Sequence, residues 1–430
     1  MNLTIEKLVY GGDGLSRLPP DEAGRSKAVF VPFVLEGEEV EATVVDDKPS
    51  FARAKLNSIP KPSALRTEAP CPYFQRCGGC HYQHTSYEHQ LEIKAAILKE
   101  NLRRIAKLEL ANALTVHPSP PWNYRNRTRL RARTEPEFAL GYYRFNSHEL
   151  LPVEQCPISS PLLNRAISSL WELGRAGKFE PSVQEIELFA NADDQKMLAE
   201  IYCTDAAEER AVQKFAVALR SALPEVTGVT AFALPQAESR ERKRIASAGT
   251  AELTYATLHA KHKISAGSFF QVNRHLIETL VEIVTTGRSG KQALDFYAGV
   301  GLFSSVLAGS FTQVTAVESS PTSHADLRYN SPPNVKVVRA LTEQYLGIAG
   351  RRLQPDLVVV DPPRSGLGGR VLSGLSGLKS PRLTYVSCDP ATLARDLAGL
   401  VNAGYRIEEA HLVDLFPQTY HIESVFQLAL

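Results

Sequence analysis

No run of 18 consecutive apolar residues occurs anywhere in the chain, which excludes a membrane-spanning helix of ordinary design. The first residues, Met1 to Lys7, lack the basic-then-apolar layout of a secretory leader, so a cytoplasmic protein with no membrane partner is expected. Nor is there an excess of either charge. With 48 Lys and Arg against 47 Asp and Glu, no global field announces a polyanion, and any surface for one must be local. Internal repeats and low-complexity tracts are missing as well, which excludes a solenoid. Cysteine is scarce at six residues, and in a reducing compartment these are expected to be metal ligands or nucleophiles rather than disulfide partners.

A length of 430 residues requires several domains. Residues 1–57 read as a small all-β module: Ile5 to Tyr10 runs into the turn Gly11-Gly12-Asp13-Gly14, Ala28 to Leu35 is a second apolar run, and Val40, Ala42 and Val44 alternate with Glu41 and Thr43. Glu6 to Gly14 together with Val29-Phe30-Val31-Pro32 resembles the TRAM domain, an OB-like β-barrel that binds RNA in RNA-modifying enzymes. A proline-bearing linker is expected at Ile59 to Ser63.

Residues 58–262 form the expected central domain. Cys71, Cys77 and Cys80 lie within ten residues, and Gly78-Gly79 lets the backbone fold tightly between them. Cys156 is the nearest fourth thiol. Four thiolates suit either tetrahedral zinc or a [4Fe-4S] cluster, and His81, His84 and His89 keep zinc open. A helix is predicted over residues 87–107, with a face to offer the C-terminal domain. Then Arg125, Arg127, Arg129, Arg131 and Arg133 occupy every second position. On a strand their guanidiniums share one face at about 6.5–7 Å spacing, a ladder suited to a nucleic-acid backbone unless acidic cross-strand neighbours neutralise it. Cys203 reads as core, and Arg240 to Arg244 as a basic, solvated loop.

From residue 263 to 430 strand alternates with helix, the pattern of a doubly wound parallel sheet. Asp295-Phe296-Tyr297-Ala298-Gly299-Val300-Gly301-Leu302 is a strand followed by a glycine turn, where a nucleoside can approach the backbone. Glu318 ends the next strand, placed for ribose hydroxyls. The third glycine of the dinucleotide fingerprint is absent. The layout instead resembles the S-adenosylmethionine (SAM) site of class I methyltransferases. Asp361-Pro362-Pro363-Arg364 then ends a strand with a rigidly aimed carboxylate. Leu383 to Ser387 delivers Cys388, which is either a buried core thiol or a presented nucleophile. His421 and Glu423 return on a late loop, and either could serve as base.

Taken in order, Phe269-Phe270-Gln271-Val272-Asn273, Asp361-Pro362-Pro363-Arg364, Val386-Ser387-Cys388-Asp389-Pro390 and His421-Ile422-Glu423-Ser424 are similar to the motifs of RNA uracil-C5 methyltransferases. The cysteine spacing resembles the iron-sulfur members of that family. The resemblance implies a Rossmann-like SAM-dependent domain behind a TRAM barrel and a central α+β iron-sulfur domain. It implies Cys388 as nucleophile, Glu423 as base, and a SAM and substrate site formed by Gln271, Tyr297, Gly299, Gly301, Leu302, Glu318 and Asp361. It further implies a [4Fe-4S] cluster on Cys71, Cys77, Cys80 and Cys156. The expected partner is RNA, 23S ribosomal RNA first and tRNA second, contacted by the arginine ladder and Arg364, with the enzyme monomeric. An enzyme methylating an exocyclic amine is the alternative, since Asp-Pro-Pro-Arg can hold an amine and would not need Cys388. The chain departs from the family at Leu302 and Asp389, where Asn is usual, and at Tyr297-Ala298-Gly299, where Phe-Cys-Gly is frequent.

Overall fold

A computed structural model describes residues 1–20, 24–205, 207–234, 243–349 and 353–430; Arg240 to Arg242 of the basic loop lie outside the described residues. At the N-terminus six strands form one sheet in the order Asn2–Thr4, Glu39–Asp47, Phe51–Lys61, Ala28–Pro32, Asp13–Arg17, Lys7–Leu8. It curls around Leu3, Ile5, Val29, Val31, Val34 and Val40. Phe51–Lys61 is longer than the pattern suggested. Lys61 still pairs with Glu39, so the stretch expected as linker is partly strand and the expected boundary at 57 falls inside it.

The central sheet has seven strands, in the order Leu150–Pro152, Ala139–Tyr143, Arg127–Arg133, Val183–Ala190, Met197–Cys203, Val226–Ala233, Arg244–Gly249. Helices Pro161–Arg175 and Glu209–Ala222 supply apolar faces to the same core, where Cys203 is buried as expected.

The C-terminal sheet follows the doubly wound plan. Its strands are β1 Gly290–Phe296, β2 Phe311–Glu318, β3 Val335–Arg339, β4 Leu357–Val360, β5 Arg382–Ser387, β6 Arg406–Val413 and β7 Glu423–Ala429. Their spatial order is β3-β2-β1-β4-β5-β7-β6. The first five are parallel, and β7 enters antiparallel between β5 and β6. All residues of β4 and β7 are buried, as strands covered on both faces must be. An eighth strand, Thr115–His117, joins from the central part of the chain and pairs in parallel with β6.

Helix α1 (Tyr87–Asn101), capped by the Ser86 hydroxyl and extended by one wider turn over Leu102–Ala106, packs Ile97, Leu98 and Leu102 on helix α2 (Pro390–Asn402). Residues 87–117 thus belong physically to the C-terminal body. The buried face of α1 takes in Gln90 and Lys94 beside Ile93, Ile97 and Leu98, while Ile105, past its end, is 45% exposed.

Candidate active site

The sheet geometry brings Cys388 and Glu423 together. β5 and β7 pair antiparallel up to Ser387↔Ser424. The next residues past the end of that ladder are Cys388 and Glu423, near enough for the Glu423 charge to act on the thiol. β4 lies on the other side of β5 and ends at Val360, so Asp361 opens onto the same rim. Pro390 then starts α2, and the Asp389 carboxylate caps it by accepting from the Ala391 and Thr392 amides at 3.1 and 2.8 Å. An asparagine could do the same through its carbonyl, which accounts for the departure at Asp389.

Burial and like charge dominate the electrostatics. Asp295 is fully buried at the end of β1, and neither carboxylate oxygen is in hydrogen-bond geometry with a partner among the described residues. Burial pushes its carboxyl up to about 7. Asp361 rises to about 7 through burial and the neighbouring Asp295. Glu423, 4% exposed, is pushed well up by burial and then by Asp361. The Cys388 thiol, half-buried, rises to about 12 through burial, Glu423 and Asp361, against the pull of Arg364. Lack of water and like-charge neighbours thus push all four acidic groups upward. A bound cation would relieve all of them.

The glycine turn after β1 has the shape a nucleoside needs. Tyr297 adopts φ +62°, a left-handed conformation that costs a non-glycine residue of order 1–3 kcal/mol and marks functional turns. Gly301, at φ +96°, has no room for a side chain, since a Cβ would come within 2.8 Å of Leu327 Cδ1. Glu318 at the end of β2 accepts from the Gly299 amide at 2.9 Å and the Ser320 amide at 2.6 Å, which fixes its carboxylate against the turn with lone pairs to spare. Leu302 is buried behind the turn, and Gln271 is 8% exposed. Asp295, with both carboxylate oxygens unpartnered among the described residues, and Asp361 beside it would be relieved by a cation, and the turn offers open backbone; both fit SAM, whose sulfonium is a cation.

The loop from Asp414 to Ile422 that carries Glu423 is pinned from several directions. Lys94, fully buried, reaches Asp414 Oδ1 at 2.6 Å and donates to the Phe416 carbonyl at 2.9 Å. Gln90 exchanges two hydrogen bonds with Gln418, and the His81 and Tyr82 amides donate to the Gln418 carbonyl at 2.8 and 3.0 Å. Asn273 Nδ2 donates to the Leu415 carbonyl at 3.1 Å. None of these supports was predicted, although Asn273 lies in a quoted motif. Burial and then Arg364 hold the His421 imidazole down to about 3.

Elsewhere, Cys71, Cys77, Cys80 and Cys156 do converge. They line one cavity of about 220 Å³, and all four are free thiols. Burial raises Cys71, Cys77 (to about 11) and Cys80, with neighbouring thiols adding to the rise. Among the described residues no group of three or more His, Cys, Asp or Glu closes on a single metal-ion position.

The arginine ladder requires correction. Arg127, Arg129 and Arg131 do share a face, but Val183–Ala190 pairs beside them and sets Glu185 and Glu187 against them. Arg127 meets Glu187 and, at 3.1 Å, Glu200; Arg129 meets Glu185; Arg131 reaches Glu185 at 2.5 Å. Their guanidiniums also stack over Phe189, Tyr202 and Tyr143. Arg125 leaves the ladder altogether, lining the thiol cavity with a buried, unpartnered Nε. Arg133 is exposed with no carboxylate partner among the described residues, and Arg364 is exposed at the crevice mouth, 3.4 Å from His421 Nδ1.

A sheet in this order, with a glycine turn after β1 and a carboxylate at the end of β2, defines a SAM-dependent α/β methyltransferase. Comparison with known proteins narrows the class. The family model for tRNA (uracil-5-)-methyltransferase matches residues 86–429, and that for the TRAM domain matches residues 1–56. The chain belongs to the tRNA (uracil-5-)-methyltransferase family and carries a TRAM domain, so it is an RNA-modifying enzyme that uses SAM. An uncharacterized RNA methyltransferase of Aquifex aeolicus is 34% identical over 99% of this chain and 97% of its own length. One from Listeria monocytogenes is 30% identical over 100% and 96%. In fold, the chain is similar over the full length of both proteins to the Pyrococcus abyssi tRNA (uracil-54, C5)-methyltransferase in complex with S-adenosyl-L-homocysteine, with TM-score 0.77 and 24% identity. No helix among the described residues is long and apolar enough to cross a membrane.

Proposed function

We propose that the protein methylates C5 of a specific uridine in RNA through a covalent bond between Cys388 Sγ and C6 of the base. The observation that supports this reading is the β5–β7 ladder, which ends at Ser387↔Ser424 and leaves a thiol and a buried carboxylate as the next residues at the rim of the sheet, within electrostatic reach of each other. C5 of uracil is too weak a nucleophile to take a methyl group unaided. Addition of the Cys388 thiolate to C6 moves the C5–C6 π pair onto C5 and O4, giving an enolate whose C5 can attack. SAM, when bound at Gln271, Tyr297, Gly299, Gly301, Leu302, Glu318 and Asp361, supplies the methyl group. Glu423 then takes the C5 proton, the C5–C6 double bond re-forms, and the Cys388 sulfur departs with its electron pair. Asp295 and Asp361 give the sulfonium its counter-charges. Once they are neutralised, the like-charge pressure that raises Cys388 and Glu423 falls.

Ribosomal RNA is the proposed target, on the combination of TRAM domain and cysteine cavity. The full-length likeness to an archaeal enzyme whose name specifies tRNA supports tRNA as the second reading. The four thiols are proposed to hold a [4Fe-4S] cluster rather than zinc. In favour are four thiols that line one cavity of about 220 Å³, a donor set a [4Fe-4S] cluster accepts. Arg133 and Arg364 are proposed to meet RNA phosphates. The deciding test maps 5-methyluridine in ribosomal RNA and tRNA from a deletion strain complemented with wild type or Cys388→Ala. One uridine should lose its methyl group and regain it with wild type only. Full modification in the deletion strain would refute the reading.

A further inference from the structure

We propose that Tyr10, in the N-terminal domain, is a positioning residue of the catalytic site, holding the main chain at Cys388 and the Glu423 loop in mutual register. Its hydroxyl donates to the Cys388 carbonyl at 3.2 Å. Its ring meets Tyr420 edge-on, with centroids 5.5 Å apart. A single side chain, 378 residues away in sequence, therefore touches both the segment that bears the thiol and the loop that bears the carboxylate.

The contact is built rather than incidental. Tyr10 stands on a tight turn closed by hydrogen bonds from the Val9 amide to the Asp13 carbonyl at 2.9 Å and from the Gly12 amide to the Val9 carbonyl at 3.2 Å. Gly12 has φ +91° and lies against His81, where a Cβ would sit 2.8 Å from the imidazole Cδ2. His81 in turn packs edge-on against Tyr420, at 4.6 Å. The turn is thus seated on the catalytic loop at two points. Cys388 lies one residue beyond the last ladder pair of β5 and two before the first residue of α2, so its carbonyl falls where sheet pairing has ended. The Tyr10 hydroxyl supplies a donor there. Burial, and then the nearby Asp389, push the phenol's pKa up and keep it a donor. The N-terminal domain in this view completes the active site as well as presenting RNA.

The inference rests on reading Cys388 as the nucleophile, so the test pairs kinetics with a measurement that does not need turnover. In the full-length protein, Tyr10→Phe keeps the ring and removes the hydrogen bond. It should lower kcat for RNA by about tenfold, the weight of one hydrogen bond, while KM for RNA stays within about twofold. It should also speed alkylation of Cys388 by a small maleimide, followed by mass spectrometry, because the segment is less restrained. Tyr10→Ala should enlarge both changes. Unchanged kcat together with unchanged alkylation overturns the proposal, as does a rise in KM alone, which would make Tyr10 a simple RNA contact. Faster alkylation in Tyr10→Phe, when wild type forms no adduct with 5-fluorouridine RNA, would instead sink the nucleophile reading and leave the positioning role standing.

Discussion

Two sites in this molecule hold acidic groups out of water, and they do so in opposite ways. Around the central cavity the groups are alike: four thiols from two stretches of chain, with Arg125 and Arg129 in the same lining. In the crevice they differ: a thiol, two aspartates and a glutamate, each from the end of a different strand. Identical soft donors around a shared space suit a metal core that wants equivalent ligands. A graded series of acids, each raising the next, suits chemistry in which protons change hands and one transient cation restores the anions.

The sharpest way to break this comparison is to remove one cysteine from each site. Cys388→Ala should abolish methyl transfer, by at least about 10⁴-fold, together with any denaturation-resistant adduct on 5-fluorouridine RNA. Cys156→Ser should leave adduct formation in place but strip broad visible absorbance and bound iron from anaerobically purified protein. Loss of the adduct in the second variant, or its survival in the first, would erase the distinction. Next in size is Glu423→Gln. A base that acts after methyl transfer should, when lost, slow turnover by about 10²–10⁴-fold while the covalent complex accumulates on ordinary uridine RNA, visible as a gel-stable band. Normal product release would reassign the proton.

The smallest effect tests the charge argument. Asp295 and Asp361 titrate near 7 when folded against 3.8 when free, so the folded state holds extra protons between those values. Stability is therefore fully present below about pH 4 as far as these groups are concerned, and it is lost as pH rises through 7. Thermal melts without ligand should show that decline. Asp295→Asn should recover about 1–2 kcal/mol at pH 8, and saturating SAM should flatten the slope in wild type. A melt profile indifferent to pH between 5 and 8 would count against the buried carboxylates as the seat of the sulfonium.

Much of this was legible from the chain. Strand and helix alternation after residue 263 announced the parallel sheet, because fully buried parallel strands such as Leu357–Val360 are unbroken apolar runs bounded by turn residues, although β2 starts further upstream, at Phe311, than its apolar core suggests. Three cysteines in ten residues could be read as convergent, and they are. What periodicity could not supply was the identity of a neighbour across space. Alternation put Arg127, Arg129 and Arg131 on one face, but Glu185 and Glu187 arrive from a strand more than fifty residues on, and nothing local signals them. Likewise Gln90 and Lys94 look like solvent positions on α1. They are buried because the loop from Asp414 to Gln418 offers them partners. Tyr10 was hidden in a motif read only for its glycines.

The three residues Thr115–His117 seem minor beside the catalytic sheet, yet they decide how the chain can be cut. Without them β6 would present a row of unpaired amides and carbonyls to solvent, an open template for another chain. The same segment follows α1, whose Ile97 and Leu98 cover α2. A fragment beginning at residue 263 would lose both covers at once. The smallest piece of this enzyme able to stay in solution as a methyltransferase body therefore begins before Tyr87, far upstream of its first catalytic motif.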